Sequence, residues 1–227
     1  MCHFGKENAV KIIVINGSPR KNGLTASILH SVEEELISQG NDVEYVDLTD
    51  LDIGHCRGCC SCYKTGHCHM DDGAELLSEK IRHADGLVLG SPTYASNVSG
   101  LMKDLIDRGH FVIEQLLTGK RCMTVVTGEN YGCKNAGKVL NDLILFSGGI
   151  LCARIALKAP FNGRDCQKEK IRSLSKRAAL RMVRKKTDIL QSLYHRIIFN
   201  FGIRPFVKRK GGLYKGVTVR WSEMGIG

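Results

Sequence analysis

Residues 11–25, KIIVINGSPRKNGLT, decide the fold of this chain. The run from Lys11 to Asn16 is rich in β-branched residues and ends at Gly17, a pattern typical of a buried strand. Apolar residues then recur at helical spacing and predict a helix over Thr25–Gln39, which Gly40 ends. A strand, a glycine-bearing loop and a helix in this order indicate the first part of a βαβ unit.

The same alternation continues along the chain. Four further apolar or alternating runs predict strands, and segments with helical spacing lie between them. The predicted strands cover 42–48, 86–90, 122–127 and 150–157, and the predicted helices cover 73–83, 99–117 and 136–146. Strands that alternate with helices predict a parallel sheet covered on both faces. We therefore expect an α/β fold, a flavodoxin-like three-layer sandwich whose five-stranded parallel sheet has the order 2-1-3-4-5.

Composition indicates a globular protein rather than a disordered one. Of 227 residues, 43% are hydrophobic and 25% are charged. No run approaches the roughly 18 apolar residues that a transmembrane helix needs. The first residues, MCHFGKENA, lack the apolar core of a signal peptide, so we expect an intracellular, cytoplasmic protein. The ten cysteines then indicate metal or redox chemistry rather than disulfide bonds.

The net charge of +10 is concentrated near the end of the chain. Residues 163–227 hold 17 Lys and Arg against 4 Asp and Glu, a net charge of +13, whereas the rest of the chain carries −3. We therefore expect a flavodoxin-like domain over 8–160 and a basic helical extension over 161–227. Because the charge belongs to the extension and no recognised binding motif accompanies it, the chain is not expected to bind nucleic acid specifically.

Two charge runs of the extension, 184–186 and 208–210, admit more than one interpretation. They fit a solvated helix face and an arm that packs on a second subunit, in a homodimer or higher oligomer. They also fit contact with an acidic protein partner such as ferredoxin, which opposite charge would steer. Weak association with an anionic membrane surface is a third interpretation.

The loop after the first strand, Gly17 to Thr25, has the features of a phosphate site. Ligands of open α/β sheets bind beyond the carboxyl ends of the strands, where the next helix presents free N–H groups to an anion. Ser18 and Thr25 carry hydroxyl groups, and Arg20 carries a fixed positive charge. The loop is neither a Walker A sequence nor a GxGxxG fingerprint, which argues against ATP and a Rossmann NAD site. A plain turn with a capping threonine is the alternative.

Two further loops follow the third and fourth strands. They read SPTYASNVSG at 91–100 and TGENYG at 127–132. All three loops would lie on one edge of a parallel sheet, where they could hold a nucleotide-like ligand at both ends. Ordinary packing against the core is the alternative for Tyr94 and Tyr131. Asp107 and Arg108, which follow the second of these loops, are expected to form ion pairs rather than to take part in chemistry.

The ordered set GSPRKNGLT, SPTYASNVSGLMKDLIDR and TGENYG resembles the NADPH-dependent FMN reductase family over residues 11–157. The ending TVRWSEMG is similar to the close of longer members. The resemblance implies non-covalent FMN, with one group of residues at its phosphate, a second beside the ribityl chain and ring, and a third at the far side of the isoalloxazine. The phosphate group comprises Ser18, Arg20, Asn22 and Thr25. The group beside the ribityl chain and ring comprises Pro92, Thr93, Tyr94 and Asn97, and the group at the far side comprises Thr127, Gly128 and Tyr131.

The loop over 54–72 holds five cysteines. Cys56, Cys59, Cys62 and Cys68 read C-x2-C-x2-C-x5-C, with Cys60 as an extra thiol. Four thiolates at this spacing can hold one cuboidal iron–sulfur cluster, whereas a structural zinc site usually presents two separated pairs. The alternative is a set of reduced or disulfide-bonded thiols without a cluster. The neighbouring histidines could also be ligands, although solvated loop positions are the expectation; they are His55, His67 and His69. The scattered cysteines are expected to be small core hydrophobes or inert surface thiols; they are Cys2, Cys122, Cys133, Cys152 and Cys166.

The segment HCRGCCSCYKTGHCHMDD is similar to the corresponding loop of the iron–sulfur flavoproteins, a branch of the same family that carries a [4Fe–4S] cluster beside FMN. The resemblance as a whole implies an FMN-dependent NAD(P)H oxidoreductase that passes electrons to a quinone, a flavin, a small oxidant or a protein. One alternative is an electron carrier between ferredoxin and FMN that uses the cluster. The other is a non-enzymatic redox or metal sensor that uses the cysteine loop.

Overall fold

The structure is a computed structural model that describes residues 9–129, 131–158, 160, 167–184 and 187–226. Its centre is a sheet of five parallel strands in the order β2-β1-β3-β4-β5, which confirms the predicted flavodoxin-like topology. The strands are β1 Lys11–Asn16, β2 Asp42–Asp47, β3 Gly86–Pro92, β4 Arg121–Gly128 and β5 Ile150–Lys158.

Helices connect the strands and continue to the end of the described chain. They are α1 Leu24–Ser38, α2 Ser61–Thr65, α3 Gly73–Arg82, α4 Gly100–Arg108, α5 Phe111–Glu114, α6 Cys133–Phe146, α7 Lys168–Arg184, α8 Ile189–Ile198, α9 Arg204–Lys210 and α10 Lys215–Glu223. A single π turn, Phe199–Ile203, joins α8 to α9. None of the described helices is both long and apolar enough to cross a membrane.

The sheet has a buried apolar face on each side. Ile13 and Ile15 of β1 pack with α3, α4 and α6, whereas Ile12 and Val14 pack with α1 and α7. Successive side chains of a strand point to opposite faces, so a continuous β-branched run supplies both cores. This explains why strands such as β1 and β3 could be recognised from continuous apolar runs, whereas the edge strand β2 alternates.

The helix predicted over 99–117 is wrong as a single element. The chain forms α4, turns at Gly109 and His110, and then forms the short helix α5. His110 has a φ of 55°, in the left-handed region that interrupts a helix. A Cβ on Gly109 would lie 2.2 Å from the Phe111 ring, so only glycine permits this close turn.

The extension contributes to the main core through its first helix. On α7, Ile171, Ala179 and Met182 are buried against α1 and the sheet. The predicted boundary between 160 and 161 stays a prediction, because 161–166 lie outside the described residues. Cys2, Cys166 and residues 185–186 of the first charge run also lie outside them, whereas Cys122, Cys133 and Cys152 are buried.

Candidate functional site

The three predicted loops meet at the carboxyl ends of β1, β3 and β4. The Gly17 N–H donates to the Gly90 carbonyl at 2.8 Å, and the Ser99 hydroxyl donates to the Gly17 carbonyl at 2.5 Å. The Thr93 N–H donates to the Thr127 carbonyl at 2.7 Å. These backbone contacts fix the loops relative to one another at one rim of the sheet.

A cavity of about 250 Å³ opens at this rim. Its lining residues are Arg20, Gly23, Leu24, Pro92, Thr93, Tyr94, Thr127, Gly128, Glu129 and Pro160. Among the predicted site residues, Ser18 and Thr25 are buried and do not line it. Asn22, Asn97 and Tyr131 are exposed and do not line it either.

The loop after β1 is organised by its own side chains. The Ser18 hydroxyl accepts from the Arg20 N–H at 3.1 Å and lies 3.2 Å from the Arg20 carbonyl. Thr25 Oγ1 lies 2.7 Å from Thr127 Oγ1 and so ties the first turn of α1 to the end of β4. The cap residue of α1 is Gly23, which offers no side-chain acceptor, so the first N–H groups of the helix remain suited to an anion.

The loop from Tyr94 to Asn97 is a tight hairpin turn. The two end residues exchange backbone hydrogen bonds at 3.0 and 2.9 Å, and Ala95 and Ser96 between them both have positive φ. Gly132 packs on this turn, because a Cβ there would lie 2.7 Å from the Ser96 Cα. The third loop therefore approaches the second closely, which brings the neighbouring Tyr131 to the same rim.

The cysteine loop forms a second site. A small cavity beside it is lined by all five cysteines, with His69, Met70, Asp107, Arg108 and His110 among the other lining residues; the cysteines are Cys56, Cys59, Cys60, Cys62 and Cys68. None of the described cysteines forms a disulfide bond. Five cysteines of one loop therefore line a common space, and thiolates are the ligands that iron–sulfur clusters use.

Cationic groups contact these thiols. Arg108 Nη2 donates to the Cys68 sulfur at 3.4 Å, and the two nitrogens of its fork hold Asp72 at 2.7 and 2.8 Å. Burial by itself lowers the pKa of His110, but interactions with Cys62 and Glu114 raise it to about 10. The expected ion pair of Arg108 is present, but sequence reasoning missed its contact with a thiol.

Helix α4 connects the two sites. Ser99, its N-cap, bonds to the loop after β1, and Arg108, its last residue, bonds to Cys68. At about 1.5 Å per residue, the nine residues of α4 span roughly 13 Å. The rim cavity and the thiols therefore lie about one short helix apart.

Helix α10 packs against the cysteine loop from the other side. Arg220 Nη2 donates to the Gly66 carbonyl at 3.2 Å, and the Tyr63 and Tyr214 rings stack at 4.7 Å. A Cβ on Gly216 would lie 2.1 Å from the Gly66 nitrogen, so the two backbones are in direct contact. The end of the described chain thus holds the segment that follows Cys62.

Comparisons with known proteins agree on one family. The sequence profile of the NADPH-dependent FMN reductase family matches residues 10–158. An iron–sulfur flavoprotein of Clostridioides difficile is 36% identical over 222 residues, which cover 95% of this chain and 99% of that protein. The NADPH-type FMN reductase of Escherichia coli is 27% identical over 122 residues, covering 52% of this chain and 56% of that protein.

Solved structures agree on the fold. RosB, solved with a bound riboflavin-phosphate derivative, has a TM-score of 0.60 at 16% identity and covers 85% of this chain and 81% of its own. A quinone reductase structure from Klebsiella pneumoniae also has a TM-score of 0.60 at 16% identity, covering 80% and 87%. At this identity the likeness concerns the fold alone.

Proposed function

This chain belongs to the NADPH-dependent FMN reductase family, and we propose that it is an FMN-dependent oxidoreductase of the iron–sulfur flavoprotein branch. The observation that carries the proposal is the pairing of two sites at opposite ends of α4. One is a strand-end cavity with an anion-suited helix terminus, and the other is a small cavity lined by the five cysteines of one loop. A simple flavodoxin-like reductase needs only the first of these sites.

The rim cavity suits FMN. The phosphate would lie at the start of α1, where Arg20 supplies charge and Gly23 places no capping side chain on the first N–H groups. The ring would lie between the Thr93–Tyr94 segment and the end of β4, with Tyr131 and Asn97 approaching from the outer side. When bound, FMN supplies both hydride and single-electron transfer, and the protein contributes position and polarity.

The residues proposed for FMN have different tasks. Ser18 and Thr25 shape the phosphate loop from beneath, because both hydroxyl groups are engaged within the protein. Asn22 lies exposed at the turn before Gly23 and would contact the phosphate from outside. Gly128 lines the cavity with bare backbone, and a Cβ there would lie 2.5 Å from the Cys133 sulfur, so the close packing behind the cavity wall requires glycine.

The thiol site suits a [4Fe–4S] cluster on Cys56, Cys59, Cys62 and Cys68. Bound there, a cluster supplies one-electron transfer at a potential that its surroundings set. Arg108 contributes by offsetting the negative charge of thiolate ligands, and its fork is fixed by Asp72. His110 adds a second positive group beside Cys62.

NAD(P)H is the proposed electron donor to FMN, and a quinone, a flavin, a small oxidant or a protein is the proposed acceptor. The second candidate function is electron transfer between ferredoxin and FMN through the cluster. The cavity lined by cysteines favours this candidate, because hydride transfer from NAD(P)H to FMN does not require thiols.

Anaerobic purification with iron and flavin determination tests the proposal. Wild-type protein is expected to hold about four iron atoms per chain and to show flavin absorbance with a broad shoulder that bleaches on reduction. Cys56→Ser is expected to lose the iron and keep the flavin. Cys60→Ser is the matched control, because it removes an adjacent thiol that is not among the four, and it should keep both.

Iron-free wild-type protein, or equal iron loss in both variants, would contradict the cluster assignment. Fresh protein without flavin absorbance would contradict the FMN assignment and would support a non-enzymatic sensor instead.

A further inference from the structure

A third cavity lies at the edge of the sheet opposite to the rim. It has a volume of about 380 Å³, within the range of small-molecule sites. One wall is built from residues that precede β4 and β5, including Gly119, Gly148 and Gly149. The other wall is built from α8, the π turn and α9. Since parallel strands start at the edge opposite to their carboxyl ends, this cavity is separate from the proposed FMN site.

The charge of the cavity lining has one sign. Arg196 and Arg204 line the cavity, and none of its lining residues is acidic. Neither arginine forms an ion pair with another residue in the described ranges. The Nε atom of Arg204 is buried and has no hydrogen-bond partner among the described residues. A buried, unpaired guanidinium nitrogen is costly, so this arrangement indicates an anionic partner.

His195 does not supply the positive charge of this site. Gln115 donates from Nε2 to the Phe146 carbonyl at 3.0 Å, so its Oε1 is the acceptor that faces His195 Nε2 at 2.5 Å. This hydrogen bond makes Nε2 the protonated ring nitrogen. Burial lowers the pKa of His195, which keeps the ring neutral. Attraction of an anion therefore rests on the two arginines.

Apolar groups complete the walls. Phe199 is buried, and Ile150 and Ile226 also line the cavity. The pair of glycines before β5 adds bare backbone, and Gly148 has a positive φ that favours glycine there. A small hydrated anion would leave these walls unmatched, whereas a carboxylate with an apolar body would meet both the arginines and the walls.

We propose that this cavity binds a small organic carboxylate whose apolar body is aromatic or branched. The planar guanidinium fork of Arg204 or Arg196 matches a carboxylate in a bidentate pair. The ligand would bridge the extension to the sheet and would not meet the flavin, because it lies at the opposite edge. It would therefore act as an effector or stabiliser, which goes beyond the proposed redox function.

Benzoate is the probe, and calorimetric titration and thermal unfolding of the full-length protein are the measurements. Benzoate is expected to bind saturably and to raise the melting temperature as its concentration rises. Benzamide, which has the same shape without the charge, should bind at least about tenfold more weakly. Inorganic phosphate, which lacks the apolar body, should also bind more weakly.

Arg204→Gln is expected to weaken benzoate binding about tenfold or more. It should not lower the melting temperature of the unliganded protein, because the guanidinium has no partner to lose. Arg209→Gln is the matched control, since it removes the same charge from an exposed position of α9 outside the cavity, and it should leave binding unchanged. Ser192→Trp should block binding by filling the cavity while keeping both arginines.

Three results would overturn the proposal. They are the absence of saturable benzoate binding, equal binding of benzamide or phosphate, and unchanged affinity in both Arg204→Gln and Ser192→Trp. None of these results depends on iron or flavin content, so a failure here is distinguishable from failure of the redox function.

Discussion

Two neighbouring cations, Arg20 and Lys21, follow the first strand and have different surroundings. Lys21 pairs with Asp50 at the surface, whereas Arg20 lines the rim cavity. We expect Arg20→Gln to weaken FMN binding about tenfold, because a charge-assisted hydrogen bond to phosphate is lost. Lys21→Gln should change FMN affinity little. Flavin fluorescence titration of apoprotein measures both affinities.

Riboflavin lacks the phosphate, so its affinity should be the same in both variants. A loss of riboflavin binding in Arg20→Gln would assign Arg20 to the ring instead.

At the scale of elements, the contact between α10 and α2 decides how firmly the cysteine loop is held. Trp221 of α10 is buried and donates from Nε1 to the Ile113 carbonyl at 3.0 Å, which anchors the helix. Gly216→Val is expected to push α10 away from Gly66, at a cost of about 1–3 kcal/mol for overpacking. Faster proteolysis of the cysteine loop and faster iron loss to a chelator would report the change. Gly212→Val is the control, because nothing lies within 4 Å of a Cβ there. Equal sensitivity of the two variants would contradict a bracing role of α10.

At the scale of the molecule, the charge of the extension bears on the electron donor. Residues 163–227 carry +13 in sequence, and Lys208, Arg209 and Lys210 are exposed on α9. If reduced ferredoxin is a donor, the rate at which it reduces this protein should fall about tenfold or more from low to high salt, because opposite charges steer the encounter. Stopped-flow reduction measures this, with a small cationic viologen radical as the control donor whose rate should not fall. Replacing the three α9 cations by Gln should slow reduction by ferredoxin at low salt only. A rate independent of salt, or NADPH reduction far faster than ferredoxin, would favour the reductase over the carrier.

The predicted homodimer or higher oligomer stays a prediction. Ile189, Leu190 and Leu193 on α8 are exposed, and they are side chains that a second subunit could cover.

Much of the fold followed from local pattern. Strands of continuous apolar residues alternated with helical spacing, and a parallel sheet with right-handed crossovers left few arrangements to consider. The same geometry placed the loops after β1, β3 and β4 at one edge, so Arg20, Thr93 and Tyr94 could be expected together without a structure. The contribution of each site residue to FMN binding stays a prediction, and Asn97 and Tyr131 lie outside the cavity that was anticipated for them.

The sequence by itself determined the topology, the loops at the rim and the spacing of the four thiols, because these depend on residues close together in the chain. Only the tertiary structure decided that the helix after Ser99 breaks at Gly109, that Arg108 reaches Cys68, and that Gly216 touches Gly66. It also decided that Arg204 faces a cavity without a counter-ion. The break at Gly109 is local, but periodicity did not reveal it, because the apolar spacing continues across the turn. The other features join residues far apart in the chain, and no local periodicity encodes a close approach of two backbones or an unpaired charge, since both depend on how finished elements pack.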